Sequence, residues 1–228
     1  MVGMDIKVFL RSNALTKGLS EEQLNILAQS ARKKMYRAGQ MIISEKDKTQ
    51  AFFVLVSGKV KMFKSSIEGK EQILCLLRKG EMFGMCAAFS DSIFPANAMA
   101  LEDSTVLVLP SETIDALAHD DPKILFNIIF DISCMLKDSM ALVESLSLKE
   151  IPQRLATFLL ISSSREAADC RDVLHLPVSQ RELAKMLGTS PETLSRALKK
   201  MSTQGIIEVK GRTITTLDKE ALEDLAQG

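Results

Sequence analysis

The chain has 228 residues, with 29 basic and 29 acidic side chains and a formal net charge of zero. An apolar fraction of 46% beside 25% charged residues excludes a disordered or collagen-like chain and supplies mass for one or two packed domains. Zero net charge speaks, taken alone, against a nucleic-acid partner, because phosphate binding needs local positive potential, so the charge must be read segment by segment.

The first twenty residues are polar and charged from Asp5 onward and lack the apolar stretch of a secretory signal. The densest apolar run, Ile124 to Ile132, is interrupted by Asn127 and Asp131 and is too short to span a bilayer. A cytoplasmic protein with no membrane partner is expected. Cys75, Cys86, Cys134 and Cys170 are widely spaced, with no CxxC and no neighbouring His pair, which reads as free thiols rather than a zinc site or disulfide framework. No Ser-His-Asp or Cys-His set, metal motif or phosphate loop suggests an enzyme.

Residues 5–32 read as short helices, the second starting at a Ser20 cap. From Lys34 to Pro110 the pattern becomes short strands with turns at Ala38-Gly39, Ser57-Gly58 and Glu68-Gly69, a further strand between Gly80 and Gly84, and a last one in STVLVLP. That regular spacing predicts an antiparallel barrel or roll. A short helix follows from Ser111, and a long one from Asp121-Pro122.

Along the long helix Leu125, Ile128, Ile132, Met135, Ser139, Leu142 and Leu146 alternate by three and four, the seam of a two-stranded coiled coil, and are assigned to a homodimer interface. A second stripe, Ile129, Leu136, Met140 and Val143, is assigned to face the roll; a core helix with two buried faces is the alternative. Ile151-Pro152 breaks the helix, another runs over 153–163, residues 164–172 form a polar connection, and 173–176 a short strand.

The segment from Val178 to Met201 carries the clearest signal. Ser179 with Glu182 forms a capping box, Gly188 allows a tight turn, and Ser190-Pro191-Glu192 caps a second helix. Small Ala184 and Leu183, Leu187, Leu194 and Leu198 supply a shared core: a helix-turn-helix, followed by a hairpin turning at Lys210-Gly211 and a last helix over 219–226. Glu192, Ser195 and Arg196 share an outward face suited to base readout, with the Arg196 fork on guanine and Glu192 on cytosine and on the guanidinium itself. Ser179, Gln180, Arg181, Thr189, Ser190, Lys199, Lys200 and Arg212 are the candidate phosphate contacts. Between Gln180 and Thr215 lie seven basic and three acidic residues, so the neutral total conceals a basic face for double-stranded DNA.

With these elements in order, the chain resembles the Crp/Fnr superfamily over nearly its whole length, and PETLSRALKKM carries the Glu-x-x-Ser-Arg pattern of its Fnr branch. The resemblance implies an α+β protein: a cyclic-nucleotide-binding-like β-roll (1–120), a dimerisation helix (121–148) and a winged helix-turn-helix domain (149–228). It also implies a symmetric dimer on a palindrome with TTGA-like half-sites, and RNA polymerase as a partner. Cyclic-nucleotide members hold the phosphate with a Glu after a roll Gly and an Arg about ten residues on; here Met85 and Ala96 stand there, so cyclic AMP is not expected. The first 74 residues have no Cys, which removes the family's N-terminal [4Fe–4S] ligand set.

Met85, Phe89, Phe94 and Met99, with Ile129, Leu136 and Met140, are assigned to an apolar effector pocket, a filled core being the other reading. The stretch Glu144 to Lys149, Arg154 and Leu159-Leu160 looks like the nitrosative-stress branch that includes the regulators of dissimilatory nitrate respiration and of the hybrid-cluster protein. That branch implies haem and nitric oxide. His119 and His175 are the only imidazoles, Met and Cys ligation stay open, and no axial ligand or other metal ligand is assigned.

Overall fold

The computed structural model describes residues 5–90, 92–166 and 173–227. They form two compact units, one of residues up to Lys70 with Leu74–Asp138, the other of Glu71–Ile73 with Ser139 onward.

The first unit opens with α1 (Ile6–Arg11), a 3-10 turn (Ala14–Thr16) and α2 (Glu21–Ser30). The start of α2 is closed by a full capping box between Ser20 and Gln23. Eight strands follow: β1 (Arg32–Tyr36), β2 (Met41–Ile43), β3 (Ala51–Ser57), β4 (Val60–Ser65), β5 (Glu71–Leu77), β6 (Met82–Phe83), β7 (Asn97–Ala100) and β8 (Ser104–Pro110). They make two antiparallel sheets, in the orders β1-β8-β3-β6 and β2-β7-β4-β5. The expected roll is present, with α3 (Met85–Phe89) inserted between β6 and β7.

Strand β3 shows why the run AFFVLV is continuously apolar rather than alternating. Phe52, Val54 and Val56 face one cluster with Leu10, Leu24, Leu27 and Leu109, while Phe53 and Leu55 face another with Phe83, Phe94 and Val106. A strand covered on both faces needs carbon on both.

Helix α4 (Ser111–Asp120) leads into α5 (Lys123–Leu148). Ile124 and Ile128 of α5 are buried in the cluster shared with Leu10, Leu27 and Ile114, and Leu125 and Met135 pack against it. Asn127, which interrupts the apolar run, donates to the carbonyls of Leu15 and Lys17 at 2.8 and 3.0 Å, tying α5 to the N-terminal helices.

This placement reverses the expected roles of the two stripes. Ile128 is only 1% exposed, inside the protomer's own core. Leu125, Met135, Leu142 and Leu146 are half-buried, and only Ile132 and Ser139 of that set are exposed. The stripe expected to face the roll is the one in solvent: Leu136 is 61% and Met140 65% exposed, with Ile129 and Val143 similarly open. Phe126, 67% exposed, extends it. Phe126, Ile129, Ser133, Leu136, Met140 and Val143 also keep strict three-four spacing, so the exposed side of α5 has the periodicity expected of an apolar seam.

The second unit contains the end of α5, then α6 (Ile151–Glu166), β9 (Val173–His175), α7 (Gln180–Met186), α8 (Pro191–Thr203), β10 (Ile207–Lys210), β11 (Thr213–Thr216) and α9 (Lys219–Gln227). Strand β11 pairs with β10 on one side and β9 on the other. Helix α6 continues through Ser164–Glu166, three residues into the expected polar connection; Cys170 lies outside the described residues. Lys149 donates to Thr157 Oγ1 and to the Ala226 carbonyl, both at 3.1 Å, which holds the end of α9 beside α6.

Candidate DNA-binding site

Helices α7 and α8 are set by their caps. The Ser179 hydroxyl accepts from the Glu182 N–H at 3.2 Å, and the Ser190 hydroxyl accepts from the Thr193 N–H at 3.2 Å, with Pro191 at the first helical position. The Glu182 carboxylate takes the Lys185 ammonium at 2.8 Å. Between the helices Gly188 adopts φ +66°, and the Thr189 N–H reaches back to the Ala184 carbonyl at 2.9 Å. Leu183, Ala184, Leu187, Leu194, Ala197, Leu198 and Met201 are buried, so α8 has a buried inner side.

Its outer side carries Glu192, Ser195, Arg196, Lys199 and Lys200, all exposed. Positions 192, 195, 196 and 199 share one face by helical geometry. Arg196 donates to Thr193 Oγ1 at 3.2 Å, and the Thr193 and Ser190 hydroxyls are 3.2 Å apart. The backbone N–H at Glu192 and the Ser190 hydroxyl, with a smaller part from the Arg196 charge, hold the Glu192 carboxyl below the ordinary carboxylate pKa. The Arg196 guanidinium thus takes Thr193 as its side-chain hydrogen-bond partner, and Glu192 stands in the first turn, where unpaired N–H groups favour a carboxylate.

Of the expected phosphate contacts, Ser179, Arg181, Ser190 and Arg212 are exposed and Gln180 and Thr189 half-buried. Arg212 already donates to the Leu176 carbonyl at 3.1 Å, and Thr213 Oγ1 lies 3.0 Å from His175 Nδ1, so His175 serves the wing sheet. Two residues with positions but no roles in the sequence reading emerge here. Thr193 anchors Arg196, a pairing legible only as a Thr three residues before an Arg. Arg154 bonds three backbone carbonyls, which no sequence pattern marks.

The residues expected to line an effector pocket do not fall in one cluster. Met85 is buried in the cluster that includes Ile124 and Ile128, whereas Phe94 is buried in the one between the two sheets, across β3. Phe89 is 47% exposed and stacks edge-on with Phe52, Met99 is half-buried, and Ile129, Leu136 and Met140 point to solvent. The positions where cyclic-nucleotide binders carry Glu and Arg hold Met85 and Ala96, both buried. His119 is exposed on the last turn of α4. Among the described residues no group of three or more His, Cys, Asp or Glu is placed to hold a metal ion, and no helix is long and apolar enough to cross a membrane.

A β-roll, a long helix and a capped helix-turn-helix with a polar outer face and a hairpin wing define a DNA-binding transcription regulator with a sensor-type domain. The family described as the cyclic nucleotide-binding domain matches residues 33–121, and the Crp-like helix-turn-helix domain matches residues 153–225. The cyclic AMP receptor protein of Thermus thermophilus is 28% identical over 219 residues, covering 96% of this chain and 99% of its own. The fumarate and nitrate reduction regulatory protein of Vibrio cholerae is 31% identical over 211 residues, covering 91% and 84%. The solved structure of a CooA variant from Carboxydothermus hydrogenoformans superposes with a TM-score of 0.81 at 25% identity, covering 94% of this chain and 96% of that one. The chain belongs to the Crp/Fnr family of transcription regulators, which bind DNA, typically as dimers.

Proposed function

We propose that this protein is a homodimeric regulator that reads a palindrome of TTGA-like half-sites with Glu192, Ser195 and Arg196 of α8. The carrying observation is the Thr193–Arg196 bond on the exposed face of a helix whose opposite side is buried: the guanidinium is held outward before DNA arrives. Lys199, Lys200, Arg181, Ser179, Ser190 and Arg212 supply the phosphate contacts, with Gln180 and Thr189 beside them. The two copies meet along Phe126, Ile129, Leu136, Met140 and Val143 of α5, a seam of exposed carbon that water leaves unfavourable. Footprinting of wild type and Arg196→Ala on a TTGA palindrome tests the readout. Loss of about 1–3 kcal/mol of discrimination at one G·C pair is expected; unchanged affinities for specific and random DNA would remove the assignment.

The resemblance of residues 144–160 to the nitrosative-stress branch supports an input of nitrosative or redox type, in a cytoplasmic regulator that meets RNA polymerase at its promoters. One observation favours a second reading, a dimer that is constitutive or answers another small molecule: Met85 and Phe94 belong to two separate buried clusters. These residues do not fit a haem, and with carbon at Met85 and Ala96 a cyclic-nucleotide phosphate would have no cation there. An anaerobic absorption titration with haem, followed by nitric oxide, separates the readings. No saturable Soret shift is expected, and a saturable one would restore haem as the effector group.

A further inference from the structure

We propose that Arg154 is a positioning residue that fixes the recognition helix relative to the last turns of α5 and so sets the half-site spacing the dimer accepts. This rests on the dimeric DNA-binding reading above.

Arg154, on α6, uses its planar fork on three separate segments. Nε donates to the Lys149 carbonyl at 2.8 Å, one terminal nitrogen to the Leu146 carbonyl at 2.8 Å, and the other to the Leu187 carbonyl at 2.9 Å. The Leu146 carbonyl belongs to the final turn of α5, where the N–H that would continue the helix, that of Glu150, is taken instead by Gln153 Oε1 at 2.6 Å. The Leu187 carbonyl closes α7 at the turn of the helix-turn-helix. Both are chain-end acceptors without helical partners, and one rigid guanidinium joins them.

A second observation locates the same junction independently. A Cβ on Gly188, in the turn between α7 and α8, would lie 2.8 Å from Leu146 Cδ2 and 3.4 Å from the Arg154 guanidinium. The turn is thus seated directly on the α5 side chain whose carbonyl Arg154 binds. Three bonds from a fork of fixed geometry, plus contact at a residue without a side chain, leave few relative orientations of α5 and α8 that satisfy all of them. A lysine can donate from one point but cannot span three carbonyls.

A dimer on a palindrome places its recognition helices about one DNA turn, roughly 34 Å, apart. Inserting or deleting one base pair moves a half-site by about 3.4 Å and rotates it. A stiff junction rejects that displacement; a loosened one follows it.

The test uses the full-length Arg154→Lys protein and palindromes whose central spacer is shortened or lengthened by one base pair, with a single half-site for reference. Wild type is expected to prefer one spacing by at least about tenfold, and Arg154→Lys to bind the single half-site within about twofold of wild type while its spacing preference falls to about threefold or less. An unchanged preference, or an equal loss of affinity at every spacing and on the half-site, would overturn the proposal, because a merely destabilised domain weakens all sites alike. Leu146→Ala, which removes the contact under Gly188 and leaves Arg154 in place, carries the same expectation should Arg154→Lys fail to fold. Absence of specific binding by the wild type would instead strike the DNA-reading proposal.

Discussion

Thr193 accepts a hydrogen bond from Arg196 at 3.2 Å, three residues along the exposed side of α8. A guanidinium held this way loses less freedom on reaching a base edge than a free one. Thr193→Val keeps the shape and removes the acceptor, so affinity for a TTGA palindrome is expected to fall by about 1 kcal/mol, roughly fivefold, with random-sequence affinity unchanged. Paired anisotropy titrations measure both, and equal losses on the two DNAs would contradict the anchoring role.

The two stripes of α5 predict opposite phenotypes. Ile128, 1% exposed in the protomer core, should cost about 3 kcal/mol of folding stability when changed to alanine, read from denaturant unfolding. Leu136→Glu places a charge on the exposed stripe and should shift sedimentation from dimer to monomer while the roll stays folded. A dimer unaffected by Leu136→Glu would move the interface elsewhere.

Burial pushes the Cys75 thiol from an ordinary value of 9.0 up to about 12, with the charges of Glu81 and Asp138 adding to the effect. Cys86 and Cys134 are exposed. At pH 8 a thiol reagent followed by peptide mass analysis should modify Cys86 and Cys134 and spare Cys75 until denaturant is added. The sign of the pH effect follows. From about pH 9 toward 12 the unfolded chain ionises Cys75 while the folded one keeps the proton, so this group removes stability as pH rises through that window.

Gly84 enters α3 at φ +91°, and a Cβ there would lie 2.8 Å from Phe53 Cδ2 and 3.0 Å from the Ala51 carbonyl. Gly84→Ala combines a left-handed backbone with a collision against β3 and should destabilise the roll by about 2–3 kcal/mol. Denaturant unfolding monitors it; a change under 1 kcal/mol, as from ordinary helix or strand propensity, would mean the segment relocates freely.

Lys199 sits exposed on the outer side of α8 without a base-reading fork. Lys199→Ala should lower affinity for specific and random DNA together and reduce the steepness of the salt dependence by about one phosphate per protomer, about two for a dimer. Binding measured across a range of salt concentrations gives the slope, and an unchanged slope would take Lys199 off the backbone.

Which parts were legible in the sequence follows from which are local. The caps Ser20, Ser179 and Ser190, the Pro191 start and the Gly turns act within a few residues, and each falls where the spacing predicts. Which stripe of α5 the protomer covers is not legible, because both obey the same three-four rule: only the cluster of Leu10, Leu27 and Ile114, far away in sequence, buries Ile124 and Ile128. Helix α3 escaped notice because five residues, entered through Gly84 without a side-chain cap, leave no period to detect. The separation of Met85 from Phe94 is illegible for a related reason. Met85 and Phe94 are close in sequence, but β3 and its sheet put them on opposite sides, and apolar composition does not report sidedness.

If the open stripe of Phe126, Leu136 and Met140 is the dimer seam proposed above, cellular abundance becomes a control variable in its own right. When copies are scarce, promoter occupancy grows as the square of their number, since two must meet before either reads DNA with full strength. Doubling the number of chains would then raise occupancy of the site nearly fourfold at the low end.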